Sequence, residues 1–147
     1  MANDEPVRIV ERVGLLRRLA AILYDLFLLT ALWWLVTAAF LLLTDGEAID
    51  RESTLFHLYQ LALITAALLF FVGFWSHGGQ TLGMRAWRFK VVRNDGAPMR
   101  YKDSLKRVAA ALVSLAPAGC GFWWAAIDPD SLAWHDRWSG SRLLRLA

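Results

Sequence analysis

The sequence predicts an all-α integral membrane protein. It has two full transmembrane helices, then a third hydrophobic segment broken by proline and glycine, with a short β-hairpin-like loop between them. Three observations carry that prediction. Hydrophobic residues make up 57% of the 147 residues, above the share of an ordinary soluble domain. The charges are segregated, with none between Asp25 and Asp45, from Ser53 to Met84, or between Arg107 and Asp128. The apolar segments left between them, Leu19–Leu43, Leu55–Trp75 and Val108–Ile127, each reach the ~20 residues needed to cross ~30 Å of hydrocarbon. The length suits one membrane domain, residues 13–146, behind a polar leader, residues 1–12.

That leader mixes acidic and basic residues, and no small-residue cleavage site follows an apolar core, so the first helix is expected to stay in the mature protein. The first span ends at Thr44-Asp45-Gly46, a turn signal. The second ends at Trp75, an interfacial residue type, and breaks at Ser76-His77-Gly78-Gly79. In the loop that follows, "RFKVV" reads as a short strand and "RNDGAP" as a tight turn, hence the hairpin. Asp103 is placed as the cap of a helix beginning "SLKRVAAALVSLA". Within the third segment, Pro117–Gly121 ("PAGCG") should break the helix. Either it is a kinked span with the C-terminus outside, or it turns within the membrane and returns; Arg137, Arg142 and Arg145 in the tail favour the return.

Basic residues give the orientation. Four Lys or Arg precede the first span, one lies in the Thr44–Thr54 loop, eight lie between Ser76 and Arg107, and three follow the third segment. The N-terminus and the long loop are therefore expected on the cytoplasmic side. The basic stretch Arg85–Arg107 is read as a contact for anionic lipid headgroups, not nucleic acid, because of its juxtamembrane position. Trp75, Trp123, Trp124, Trp134 and Trp138 are read as belt residues, and Trp33 and Trp34 as nearer mid-span. Cys120, the one cysteine, excludes an intramolecular disulfide.

Asp25 breaks the apolar pattern. A carboxylate at the bilayer centre costs ~2.5–3.5 kcal/mol, and Asp25 lies shallower, seven residues after Arg18 or ~10 Å along the axis. It can stay protonated or find a partner. Arg18 shares its face, but helix side chains lean toward the N-terminus, so Arg18 should reach for the headgroups and the partner should come from another helix. Depth matching nominates the Ser114 hydroxyl.

Arg18 and Asp25 in "RRLAAILYD", the glycine-flanked "GQTLGMRAWRFKVVRNDG" and the terminal "WHDRWSGSRLLRL" together resemble the RDD family, small bacterial membrane proteins named for one arginine and two aspartates. The resemblance covers about Val13 to Leu146 and matches Arg18, Asp25 and Asp136 to the signature. It implies the bacterial inner membrane, and transport is the activity usually suggested for the family. Met84 departs from the lysine common after "GQTLG", and Ser141 from a common threonine.

The residues themselves add the following. Gly79 and Gly83 permit close approach or positive φ, with Gln80 and Thr81 as hydrogen-bonding groups. The motif lacks the GK[ST] ending of a Walker loop and the apolar interior of a dimerising GxxxG. His135-Asp136 has no second His/Asp cluster beside it, and His57 and His77 belong to opposite faces, so no metal site is expected. Asp136 is expected to pair with Arg18 or Arg85 and clamp the tail. No cofactor and no enzymatic activity are expected. Two classes remain: an ion-coupled or small-solute transporter, which requires a homo-oligomer or larger complex because so few helices cannot enclose a pathway, and a non-transporting scaffold or lipid-interacting module.

Overall fold

A computed structural model describes residues 13–146; the polar leader, 1–12, lies outside the described residues. The chain forms α1 (Leu15–Leu43), α2 (Thr54–Ser76), α3 (Leu82–Ala86), β1 (Phe89–Arg93), α4 (Tyr101–Leu115), α5 (Cys120–Ile127), α6 (Trp134–Ser139) and β2 (Ser141–Arg145).

Helices α1 and α2 are long and apolar enough to cross a membrane, and of their most apolar windows only 6% and 0% of residues are buried. Hydrophobic side chains such as Phe27, Trp34, Leu42 and Leu69 stand outward on them. A surface this apolar is far larger than the patches a soluble monomer exposes, so the chain has the character of a membrane protein. The two helices touch through few polar contacts. Trp33 Nε1 donates to the Leu63 carbonyl at 3.0 Å, and the Thr37 and Tyr59 hydroxyls lie 2.9 Å apart. The connection starts at Asp45 and Gly46, both at positive φ (+51° and +85°). Ser53 opens α2 by accepting from the Phe56 N–H at 3.2 Å, a standard N-cap.

The expected hairpin is replaced by a ribbon of distant segments. The turn at "RNDG" does form, with the Gly96 N–H on the Arg93 carbonyl at 2.9 Å. Pro98 then follows and α4 begins at Tyr101, leaving no length for a returning strand. Instead β1 pairs antiparallel with β2 from the tail, with Phe89 opposite Arg145, Val91 opposite Leu143 and Arg93 opposite Ser141. Phe89, Val91 and Val92 are buried beneath it.

Helix α4 starts two residues before the expected cap. Asp103 sits inside the first turn, accepting from the Arg100 N–H at 3.2 Å. The helix is amphipathic: Ser104, Arg107, Val108 and Ser114 face inward while Leu105, Leu112 and Val113 face out. The apolar run after Arg107 is therefore not one straight span. Helices α4 and α5 meet at 95° across a short break, where Ala118 and Gly119 take positive φ (+51° and +75°). The bend is tight: a Cβ on Gly121 would lie 2.6 Å from the Ser114 Cβ. After α5 the chain comes back, α6 packing on α4 and β2 on β1. The tail thus finishes at the end of the molecule where α1 begins.

Candidate functional site

At that end, four segments bury a cluster of charged and polar groups. Asp136 is fully buried because α6 is short and Asp136 lies in its first turn, where its Oδ2 accepts from the Ala133 N–H at 2.9 Å. Arg18, one turn into α1, brings Nη1 to 3.2 Å from that same oxygen. Its Nε donates to the Val13 carbonyl at 3.0 Å, and Nη2 donates to the Ser131 carbonyl. Arg107, from the inner face of α4, places Nη1 2.6 Å from Asp136 Oδ1 and also donates to the Ser141 hydroxyl. Its guanidinium lies 5.1 Å over the Trp75 ring, a cation–π contact. Ser141 also exchanges a hydrogen bond with Ser139 at 2.7 Å.

Two guanidiniums thus share one carboxylate. Burial by itself pushes Asp136 up, but Arg107, Arg18 and the Ala133 N–H outweigh it and hold the carboxyl below the usual range. His135 is buried beside Phe122, with Nε2 3.6 Å from Asp136 Oδ1. Burial first, then the nearby Arg107 charge, lowers it to about 3, so it is neutral at physiological pH.

Asp25 lies further along α1 in its own setting. Thr81 Oγ1 donates to Oδ2 at 2.5 Å and the Gly83 N–H to Oδ1 at 2.8 Å. The contact exists because Gly83 has no side chain: a Cβ there would sit 2.2 Å from the Ala21 carbonyl and 2.9 Å from the Asp25 carboxyl. Gly79, at φ +73°, likewise lets the chain pass against Val91, whose carbonyl would lie 2.3 Å from a Cβ. Gln80 fastens the same loop to the Phe89 carbonyl at 2.8 Å. Met84 is buried, its thioether 3.5 Å from the Thr81 N–H.

Several expectations meet these contacts. Arg18 and Asp136 come together, and Arg18 does lean toward its own N-terminus, but it ends on Asp136 and backbone carbonyls and not among headgroups. Arg85 is exposed and takes no part. Ser114 does not reach Asp25; its hydroxyl donates to the Ala110 carbonyl one turn back at 2.8 Å, because the α4–α5 bend packs Gly121 against it. Thr81 supplies the hydroxyl instead. Trp75, read as a belt residue, is buried under Arg107. The residue that sequence reasoning missed is Arg107. Counted there as one more loop cation, it is separated from the others by its spacing: with Ser104, Val108 and Ser114 it completes one helical face.

Between α1, α2, α3, α4 and α6 lies a cavity of about 80 Å³ reached by Arg18, Asp25, Trp75, Thr81, Arg107 and His135. With the geometry in place, the comparison with known families is decisive: the RDD family model matches residues 12–140. The chain belongs to the RDD family. No curated protein and no solved structure matches it significantly. In this RDD protein Arg18 and Asp136 meet in one ion cluster, while Asp25 fastens α1 to α3.

Proposed function

We propose that this RDD protein is a multi-pass protein of the bacterial inner membrane that moves an ion or small solute as part of a homo-oligomer or larger complex, without enzymatic activity. The observation that carries the reading is the cavity, where ionisable side chains from an apolar helix, Arg18 and Asp25, meet Arg107. Ionisable groups inside such helices are costly and usually belong to a pathway. In this reading the N- and C-termini are cytoplasmic, and the bent pair α4–α5 dips into the bilayer and returns. Exposed Arg85, Arg88, Lys102 and Lys106 rest on anionic headgroups, each contributing ~1 kcal/mol. Two long helices cannot enclose a path, so several copies or a partner must line it.

The test is reconstitution in liposomes loaded with a pH-sensitive dye, with Asp25→Asn as the comparison. Flux of protons coupled to an added cation or solute, reduced at least tenfold by the substitution, is the expected result. A monomer in lipid nanodiscs whose flux is indifferent to Asp25 overturns it. A second reading, a scaffold that organises lipid or partners, is favoured by one observation: Asp25 and Asp136 are both held by several donors within the protein. It expects assembly to survive Asp25→Asn and to fail when the loop charges are reversed.

A further inference from the structure

Among the described residues, three buried side chains that line the cavity each keep a nitrogen without a hydrogen-bond partner: Trp75 Nε1, Arg107 Nε and His135 Nδ1. Buried polar atoms are nearly always satisfied, and one left unpaired costs about 1–3 kcal/mol. Three on the walls of one cavity mark a place built for a group that supplies their partners. Two of the three, the indole and guanidinium N–H, can only donate, so that group must accept. The charge points the same way. Arg18 and Arg107 bring two positive charges to this end of the cavity and Asp136 removes one. Asp25, the acid on the cavity wall, lies ~10 Å further along α1 and is occupied by Thr81 and Gly83.

We propose that the cavity binds a single oxyanion group, a phosphate, against Arg107, Trp75 and His135. His135 is neutral, and with its Nε2 proton toward Asp136 its Nδ1 accepts; a singly protonated phosphate would satisfy it as well as the two donors. A space of about 80 Å³ compares with the ~10–15 Å³ that one water needs on the same measure. It therefore has room for one such group with its oxygens. Leu19 and Ile22 line the cavity and also face outward on α1. An acyl chain attached to the oxyanion would leave along them. A lipid headgroup and a free anion present the same chemistry at the floor, and the test separates the two sources. The proposal rests on the reading of this cavity as a solute site and names the class of solute.

The test uses the full chain in mild detergent, titrated separately with dioctanoyl phosphatidic acid, dioctanoyl phosphatidylcholine and inorganic phosphate. Native mass spectrometry reads stoichiometry, and thermal unfolding reads affinity. One phosphatidic acid per chain, with no phosphate binding, identifies a lipid headgroup. Saturable binding of inorganic phosphate identifies a free anion. In either case Trp75→Phe, which keeps an aromatic ring beside Arg107 but loses the indole N–H with its fused ring, should weaken binding about tenfold; the smaller buried ring also lowers the ligand-free melting temperature, so the affinity of this variant is read from occupancy in native mass spectrometry. Lys102→Glu with Lys106→Glu separates this site from the exposed basic loop and should leave the one-to-one complex intact. No saturable binding of either anion, or binding indifferent to Trp75→Phe, overturns the proposal. Flux in liposomes is measured independently: flux that depends on Asp25 without anion binding sinks this inference alone, and binding without flux sinks only the transport reading.

Discussion

Asp136 carries the two guanidiniums, so its neutral isostere is the sharpest probe of single residues. Asp136→Asn leaves Arg18 and Arg107 buried, adjacent and uncompensated. Removing one partner of a buried ion cluster costs about 3–5 kcal/mol, and unfolding in mixed detergent should show a loss of that size. His135 gives the pH signature. Below its ordinary value near 6.5 the unfolded chain takes up a proton that the folded chain, at about 3, refuses. The unfolded state then binds more protons, and stability rises with pH across that window. Between pH 7.5 and pH 5 the loss is about 2 kcal/mol, and Asp136, ionised in both states there, adds nothing to it. Melting curves of His135→Gln should lose this dependence. At this scale the sequence showed which residues are odd better than which residues touch. Arg18, Asp25 and Asp136 stand out because a charge in an apolar run, or in a recurring motif, is visible in one dimension. The choice of Thr81 over Ser114 depends on a bend and a missing Cβ, neither of which depth along a helix can report.

Among elements, the ribbon β1–β2 and the contact of α1 with α3 decide how the tail and loop are held. Cysteines at Lys90 and Leu144, directly opposite each other, should oxidise to a cross-link in a Cys120→Ser background; opposite residues in such a pair bring their Cβ atoms within ~4.5–5.5 Å. A shift of either cysteine by one position should abolish it, since the side chain then points to the other face. Gly83→Ala drives a methyl into the Ala21 carbonyl and should destabilise by about 1–3 kcal/mol, read as a lower melting temperature. The long helices were legible because apolar length is a local property. The ribbon was not. "RFKVV" announced a strand and "RNDG" a turn, but a strand's partner is set by the whole topology, and the alternation in Ser141–Arg145 is too short to claim one. The bend at Pro117–Gly121 was legible as a break, while its angle depended on the packing of Gly121 against Ser114.

For the whole molecule, the tail and the start of α1 lie at one end, which fixes their relation across a bilayer. A cysteine placed after Ala147, in a Cys120→Ser background, should resist a membrane-impermeant thiol reagent on intact cells and react once they are opened. Labelling of intact cells would mean that the tail lies outside, and the shared cytoplasmic face would have to be abandoned. The expected sidedness of the loops rests on the distribution of Lys and Arg, a rule that acts on segments and not on contacts. Oligomeric state leaves no comparable mark, since lipid and a second copy make the same demand on Phe27, Trp34 and Leu69.

The arginine and the aspartate that meet in the ion cluster are 118 positions apart, and this sets a clock on synthesis. At ~5–20 residues per second, Arg18 exists for roughly 6 to 24 s before Asp136 does. During that interval α1 is already made, while its charge has no anion and β1 has no neighbouring strand. The nascent protein must therefore wait with its basic end in water or in the care of another protein. The ion cluster closes only when Asp136 arrives behind the first helix.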